Sequence, residues 1–101
     1  MNEEQKRINR FYNSKSWKNV RQAILTRDIY CQRCKALYNY YTTDNLEVHH
    51  ICKIATHWDE RLNPNNLICL CKTCHRQVDL SCKDGTLDFE FKAPPITYTI
   101  R

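Results

Sequence analysis

The amino-acid sequence predicts a single small α+β domain in which two strands and a helix form a ββα unit held together by bound zinc. Three observations support this prediction: the chain has only 101 residues, two Cys-x-x-Cys pairs frame its middle, and short apolar runs lie between them. A chain of this length buries too little apolar surface to be comfortably stable without disulfides or a metal ion. We therefore expect zinc to take part in folding.

The two pairs, Cys31 with Cys34 and Cys71 with Cys74, supply four thiolates for a tetrahedral zinc site. The chain has seven cysteines, an odd number, and its first residues contain no apolar run of the kind found in signal peptides. We therefore expect reduced thiols in a cytoplasm. The alternative is that these four cysteines are ordinary core residues. The other cysteines, expected to be small core residues or free thiols, are Cys52, Cys69 and Cys82.

Positive charge is concentrated at the start of the chain. Residues 1–35 carry nine Lys or Arg against three Asp or Glu, and the whole chain has a formal net charge of +5. A basic face beside a bound cation suits a polyanion such as nucleic acid, although a surface selected for solubility has the same composition. No apolar run reaches transmembrane length, so we expect no membrane function.

The first elements are a polar stretch and a helix. Residues 1–10 are predicted to be a flexible N-terminus. Residues 11–28 indicate an anchor followed by a helix with Ser14 or Ser16 as its N-cap. The buried face of this helix is formed by Trp17, Val20 and Ile24. The other face is basic, and the tyrosine-rich residues 35–45 indicate a loop or a weak strand.

The middle of the chain carries the ββα unit. Residues 46–48 are predicted to form a short strand leading into His49 and His50, and the apolar run at 67–70 a second strand. A long connector joins them, and residues 71 to about 80 indicate the second cysteine pair running into a helix. Because successive strand residues face opposite sides, the two adjacent histidines are expected to have different functions.

The last segment, residues 81–101, is predicted to be a β extension outside a domain of residues 11–80. After the turn at 84–85, apolar residues alternate with polar ones in two stretches. The alternating residues are Leu87, Phe89 and Phe91, then Ile96, Tyr98 and Ile100. These strands would form a hairpin on the core or an edge that pairs with a second subunit, so both a monomer and a homodimer remain open.

Six motifs follow one another in a characteristic order. They are Phe-Tyr-x-Ser-x-x-Trp (11–17), Arg-x-x-Ile-Leu-x-Arg-Asp (21–28), Cys-x-x-Cys (31–34), Val-His-His-Ile (48–51), Asn-Asn-Leu-Ile (65–68) and Leu-Cys-x-x-Cys-His (70–75). The ordered set resembles the HNH endonucleases, in particular the small free-standing type found beside phage packaging genes. The resemblance implies a ββα-metal fold, metal-dependent DNA cleavage, and assistance to phage packaging with terminase proteins in the cytoplasm of a bacterial host.

The resemblance also implies roles for individual residues. His49 and His75 would hold one divalent cation, His50 would be the general base, and Asn66 would hold the loop that carries the base. An imidazole with an unperturbed pKa of about 6.5 suits proton abstraction near neutrality. Two protein ligands leave open positions on the ion for phosphate oxygens and water. Mg²⁺, Mn²⁺ or another divalent transition metal would serve as the ion.

DNA contacts are expected on the basic helix and near the first cysteine pair. The residues predicted to contact phosphates are Lys18, Arg21, Arg27 and Arg33. The alternative function, from another class, is a non-catalytic zinc-ribbon-like module. In that case the histidines would be structural, and the basic helix would bind nucleic acid or a protein partner.

Overall fold

A computed structural model describes residues 1–97, and within them four α-helices surround a two-stranded antiparallel sheet, with two short 3-10 helices (Trp58–Glu60 and Pro64–Asn66) in the connector between the strands. The helices are α1 (Glu3–Tyr12), α2 (Lys15–Asp28), α3 (Gln32–Tyr38) and α4 (Lys72–Ser81), and the strands are β1 (Leu46–His50) and β2 (Leu67–Cys71). This arrangement confirms the predicted α+β class with a ββα unit. No helix in residues 1–97 has the length and apolar character needed to cross a bilayer.

The N-terminal residues differ from the prediction of a flexible segment, because they contribute most of α1. Asn2 caps this helix by accepting a hydrogen bond from the Gln5 backbone N–H at 2.8 Å. Phe11 in the last turn is buried, and Ile8, three residues earlier, packs against the same apolar cluster. One apolar stripe at this spacing is enough to dock a largely polar helix. The division of the chain at residues 10 and 80 stays a prediction.

α2 begins at one of its two predicted N-caps, whereas α3 is not predicted from the sequence. The Ser14 hydroxyl caps α2 by accepting a hydrogen bond from the Trp17 backbone N–H at 3.1 Å. The predicted face of α2 is buried in the main apolar cluster, which consists of Phe11, Trp17, Val20, Ile24, Val48, Ile54 and Leu67. α3 continues to Tyr38 and ends at Asn39 in the left-handed conformation. The first part of the tyrosine-rich segment is therefore helical rather than a loop or a weak strand.

The register of the sheet determines where the two adjacent histidines point. His49 lies opposite Ile68, and His50 lies opposite Leu67. The His50 ring stacks on Trp17 of α2, whereas the His49 ring lies 5.0 Å from the ring of His75 on α4. The two histidines therefore have separate environments, as strand geometry requires.

Arg27 and Asp28 bond the edge of β2 that does not face β1. The Asp28 carboxylate accepts a hydrogen bond from the Cys69 backbone N–H at 2.9 Å. Arg27 donates to the carbonyl oxygens of Leu67 at 2.7 Å and Pro64 at 2.9 Å, and its side chain also pairs with Asp28 at 2.7 Å. These contacts satisfy backbone groups that a sheet edge otherwise leaves unpaired.

The segment after α4 forms no strand in the part of the chain that the structure describes, so the predicted β extension is not found there. Its alternating apolar residues pack instead against the cysteine-side cluster, which consists of Cys31, Ile68, Leu70, Cys71, Cys74 and Val78. Asp88, on the other side of the backbone, pairs with Arg33 at 2.9 Å. The alternation correctly identified the side chains that face the core, because any extended chain alternates its side chains, with or without a neighbouring strand.

The second alternating stretch is described only in part. Ile96 packs against the main apolar cluster. Tyr98 and Ile100 lie outside the described residues, so the prediction of a strand there is not tested.

Candidate functional site

The four cysteines of the two pairs meet at one point between α3 and α4. Their Sγ atoms all lie within 4.8 Å of one another, with Cys34 Sγ 3.9 Å from that of Cys71 and 3.6 Å from that of Cys74. Sulfurs at about 2.3 Å from a tetrahedral zinc ion are separated by about 3.8 Å, so the cluster fits zinc. All seven cysteines lie within the described residues 1–97, and all are free.

Each cysteine pair is placed by a helix N-terminus. Cys31 precedes α3 and accepts a hydrogen bond from the Cys34 N–H at 3.4 Å, and Cys71 precedes α4 and accepts one from the Cys74 N–H at 3.5 Å. Arg33 Nη1 adds a donor to Cys74 Sγ at 3.4 Å. Burial raises the pKa of the Cys31 and Cys74 thiols, and the N–H donors and the guanidinium oppose this shift. Zinc binds the thiolate form and would favour deprotonation further.

Two of the four predicted phosphate contacts are therefore corrected. The side chains of Arg27 and Arg33 are only 2% and 10% exposed, and their guanidinium groups bond backbone carbonyls, carboxylates and a cysteine sulfur. They hold the fold and do not face a ligand. Lys18 is exposed and Arg21 is half-buried, so these two stay candidates for phosphate contact.

A second group of metal-ligating side chains joins β1 to α4. Ring nitrogens of His49 and His75 and a carboxylate oxygen of Asp79 lie within 4.8 Å of one another. His49 Nδ1 is 3.5 Å from Asp79 Oδ1, and His75 Nε2 is 3.6 Å from Asp79 Oδ2. Ligand atoms of an octahedral ion at about 2.1 Å are separated by about 3 Å. With a small adjustment the three side chains would fit one divalent cation.

Asp79 was not among the residues predicted from the sequence. A signal for it existed, because Asp79 follows His75 by four positions in a predicted helix, and residues four apart share one helix face. Carboxylates are so common on helix surfaces that this spacing alone carries little weight. The spacing of His75 and Asp79 becomes significant because α4 packs against β1, which brings His49 to the same point.

Glu47 was also missed, and it fixes the orientation of His75. Its Oε1 accepts a hydrogen bond from His75 Nδ1 at 2.8 Å. Because a carboxylate accepts and does not donate, Nδ1 carries a proton, which leaves Nε2, on the side of Asp79, as the ring nitrogen that could bind a metal. A carboxylate behind a metal-binding histidine is a common arrangement. The sequence signal is the i, i+2 spacing of Glu47 and His49, which places both on one face of β1.

His49 is held in the neutral form. Burial, together with the neighbouring His75, lowers its pKa to about 4. The ring is therefore uncharged near pH 7, and the neutral imidazole is the form that binds metal. The contact between His49 and Asp79 is therefore not a salt bridge, and both side chains are potential metal ligands.

His50 lies in an aromatic cage. Its ring stacks on Trp17 with centroids 5.0 Å apart, and the rings of Phe11 and Tyr12 each lie at 6.1 Å. Its Nε2 is 2.9 Å from the carbonyl oxygen of Arg61, so Nε2 carries the proton and Nδ1 keeps a lone pair. Burial is the main cause of a pKa below the ordinary value for histidine. A neutral ring with a lone pair on Nδ1 can accept a proton.

Asn66 bonds two points of the connector, Cys52 and Glu60. Its Oδ1 accepts a hydrogen bond from the Cys52 N–H at 2.7 Å, and its Nδ2 donates to the carbonyls of Cys52 at 3.1 Å and Glu60 at 3.2 Å. Since Arg61 follows Glu60 directly, these bonds fix the position of the carbonyl behind His50. The placement is compatible with the predicted role of Asn66, which stays a prediction.

The histidines of β1 and their neighbours share one opening to solvent. A cavity of about 520 Å³ lies over them. The side chains that matter for chemistry among its lining residues are Tyr12, His49, His50, Lys53, His75 and Asp79. The predicted base and the predicted ligands can therefore reach the same bound molecule.

A third group, Cys52, His57 and Asp84, joins the connector to the turn after α4. The Asp84 carboxylate accepts hydrogen bonds from the Lys53 backbone N–H at 2.6 Å and from the Thr56 hydroxyl at 2.5 Å. These bonds account for the position of Asp84 without a ligand. His57 is exposed.

Three comparisons with known proteins agree on one family. Residues 31–79 match the family model of the HNH endonucleases. A probable HNH endonuclease of Lactococcus phage SK1 is 36% identical over 80 residues, covering 74% of this chain and 81% of that protein. The crystal structure of the HNH endonuclease of the deep-sea thermophilic bacteriophage GVE2, with a manganese ion, has a TM-score of 0.67 at 33% identity, covering 76% of this chain and 83% of that one. The chain therefore belongs to the HNH endonuclease family and is a metal-dependent nuclease that hydrolyses phosphodiester bonds.

Proposed function

We propose that this protein is a DNA endonuclease in which His50 is the general base and one Mg²⁺ or Mn²⁺ ion is held by His49, His75 and Asp79. The observation that carries the proposal is the separation of His50 from the other three side chains. His50 lines the same cavity, but its ring bonds the Arg61 carbonyl and not the ligand group. The manganese ion in the GVE2 relative supports the choice of cation.

Each residue then supplies one requirement of phosphodiester hydrolysis. The bound cation would stabilise negative charge on the phosphate and on the leaving oxygen. His50 would take the proton of the attacking water on Nδ1 while Nε2–H holds the Arg61 carbonyl. Asn66 is a positioning residue, because it fixes the segment that ends in that carbonyl and so keeps the His50 ring from rotating.

We propose a zinc ion in the four-cysteine site, with a structural role only. Four thiolates close the tetrahedral shell and leave no open position for water or phosphate. His75 and Asp79 of α4 would therefore take part in catalysis, and the cysteines at its N-terminus would stabilise the fold.

A plasmid assay tests the function. The purified protein should cut supercoiled plasmid with Mn²⁺ or Mg²⁺, and EDTA should stop the reaction. His49→Ala should stay folded, retain zinc and require much more Mn²⁺, because one ligand of the cation is lost. Gel separation of supercoiled, nicked and linear forms across a Mn²⁺ titration measures this. A non-catalytic zinc-ribbon-like module would bind DNA and leave it intact at every Mn²⁺ concentration.

Asp79→Asn should raise the Mn²⁺ concentration needed for half-maximal cleavage. Loss of a partner behind a ligand typically costs about 10–100-fold in metal affinity, so loss of a ligand should cost at least as much. Cleavage should recover at high Mn²⁺. Asp44→Asn is the control, since Asp44 is exposed in the loop before β1. Equal Mn²⁺ requirements for the two variants would remove Asp79 from the ligand set.

We further propose that the enzyme acts on phage DNA during packaging, with terminase proteins, in the cytoplasm of a bacterial host. The support is that both similar proteins come from bacteriophages and that the motifs resemble the type found beside packaging genes. Co-purification with the terminase subunits of the same genome tests the proposal. A lack of association, together with cleavage that terminase does not alter, would contradict it.

A further inference from the structure

A second cavity, of about 320 Å³, lies between α1 and the connector that carries Arg61. We call it the arginine groove, and its lining consists of Arg7, Arg10, Phe11, Ser14, Ser16, Trp58, Arg61 and Leu62. No acidic side chain is among these residues. Three guanidinium groups and two hydroxyls form the polar part of the groove, and these are groups that bind phosphate.

Trp58 holds two of the three arginines in place. The guanidinium carbon of Arg7 lies 4.0 Å from the centroid of the Trp58 ring, and that of Arg61 lies 4.5 Å from it. A stacked guanidinium keeps its N–H donors in its own plane. Arg61 Nη1 donates to the Trp58 carbonyl oxygen at 3.0 Å, and its other nitrogens remain available to a ligand. Stacking also removes freedom that an arginine would otherwise lose on binding phosphate, which favours binding.

Within the described residues, no carboxylate neutralises the positive charge of the groove. Among residues 1–97, no carboxylate lies within 4.0 Å of the guanidinium nitrogens of Arg7, Arg10 or Arg61. This distinguishes them from Arg27 and Arg33, whose guanidinium groups bond carboxylates inside the fold.

The groove is next to the proposed base. Phe11 lines it, and the Phe11 ring lies 5.8 Å from the Trp58 ring and 6.1 Å from the His50 ring. Arg61 contributes its side chain to the groove and its carbonyl to the hydrogen bond with His50. A DNA strand with its scissile phosphate in the cavity over His50 can therefore reach the groove with a neighbouring phosphate.

We propose that the arginine groove binds the phosphodiester backbone of duplex DNA beside the phosphate that is cut. The inference rests on the proposed function, because it places the substrate relative to His50. It also places phosphate contacts outside the docking face predicted from the sequence, since the arginines come from α1 and the connector and not from α2. Guanidinium contacts to phosphate are independent of sequence, so the groove contributes affinity and register rather than base recognition.

The test compares two double variants for binding of a short labelled duplex without added divalent cation. Arg7→Gln with Arg10→Gln should lower the affinity. Each lost phosphate contact should reduce the slope of log K against log salt by about 0.9. The slope of this variant should therefore be smaller than that of the wild type by about 1.8. The comparison variant, Lys18→Gln with Arg21→Gln, removes the same charge from α2 and should change the slope less. Fluorescence anisotropy across a salt series gives both slopes, and circular dichroism checks that α1 is retained.

Two results would overturn the proposal. If only the α2 variant loses slope, DNA docks on the face predicted from the sequence; if neither does, phosphates contact neither surface. The binding assay requires no cleavage, whereas failure of the proposed function would appear as plasmid left intact by the wild-type protein in Mn²⁺. The two failures are therefore distinguishable.

Discussion

His50→Ala should cut plasmid about 10²–10⁴-fold more slowly than the wild type near neutral pH, which is the usual contribution of a general base. Both metal sites should survive, because the cysteine cluster and the group of His49, His75 and Asp79 do not include His50. The measurements are the single-turnover rate at saturating Mn²⁺, the zinc content and the Mn²⁺ requirement. Only the single-turnover rate should change greatly.

Two controls separate proton transfer from positioning. His50→Asn retains an N–H that can donate to the Arg61 carbonyl but has no basic nitrogen, so it should be as slow as the alanine variant. If it recovered the rate, the defect would lie in the loop that carries Arg61 and not in proton transfer. His57→Ala removes an exposed imidazole from the same connector and should cut at the wild-type rate.

The pH profile gives an independent check. A general base acts in its neutral form, which is populated above its pKa, and burial places the pKa of His50 below about 6.5. A cation bound nearby would lower it further. The wild-type rate should therefore rise through a pKa below 6.5 and be level at pH 7–8. His50→Ala should lack this rise and should gain rate at high pH, where hydroxide replaces the base.

One outcome would reverse the assignment of the paired histidines. If His50→Ala cut at the wild-type rate near neutral pH while His49→Ala did not, the base and the ligand would be exchanged. If both variants cut normally, neither histidine would belong to the active site.

The sequence was most informative where function depends on local spacing. A Cys-x-x-Cys pair places two sulfurs on one turn at a helix start, as Cys31 and Cys34 show. The alternation of strand side chains was enough to predict that His49 and His50 face different partners. Both predictions need only the geometry of a few consecutive residues, so tertiary structure could not overrule them.

The residues that the sequence did not reveal depend on long-range packing. Glu47 and His75 lie 28 positions apart, and they meet because α4 packs on the face of β1 that carries Glu47 and His49. The helix pattern predicts a solvent-facing position for Arg27, but β2 presents its Leu67 carbonyl there. The helix pattern alone does not indicate which neighbour covers a polar face.

The arginine groove was missed for a related reason. The low apolar content of residues 1–10 predicts a flexible segment, and a flexible segment would not hold Arg7 and Arg10 in a defined surface. Their position depends on Phe11 and on Trp58, which comes from a connector without a clear periodic pattern. Composition correctly indicated a basic N-terminal region, and the fold determines which of its cations are free to bind.

Cys31→Ala should lose zinc and the cooperative unfolding transition, whereas Cys69→Ala should keep both. The two cysteines are matched, because both are fully buried and each substitution deletes one sulfur. Cys69 is not part of the four-cysteine cluster, and burial raises its pKa to about 12, so its thiol stays protonated. Zinc content by metal analysis and a thermal melt by circular dichroism measure the difference.

The magnitudes explain why the two variants should differ so much. Binding of a structural zinc contributes roughly 10–16 kcal/mol at neutral pH, which equals or exceeds the net stability of about 5–15 kcal/mol of a folded domain. Deletion of one buried sulfur outside the site should cost about 1 kcal/mol, the scale of a small core truncation. The first variant therefore loses about as much free energy as the fold has, and the second loses a fraction of it.

Loss of zinc should also abolish cleavage in a way that added Mn²⁺ does not repair. α4 starts at the second cysteine pair and carries His75 and Asp79, so release of its N-terminus separates two proposed cation ligands from His49 on β1. His49→Ala, by contrast, keeps α4 in place and should respond to excess Mn²⁺. Recovery of Cys31→Ala by Mn²⁺ alone, or a cooperative melt without zinc, would mean that the apolar clusters hold α4 against the sheet and that the cysteine site is dispensable for folding.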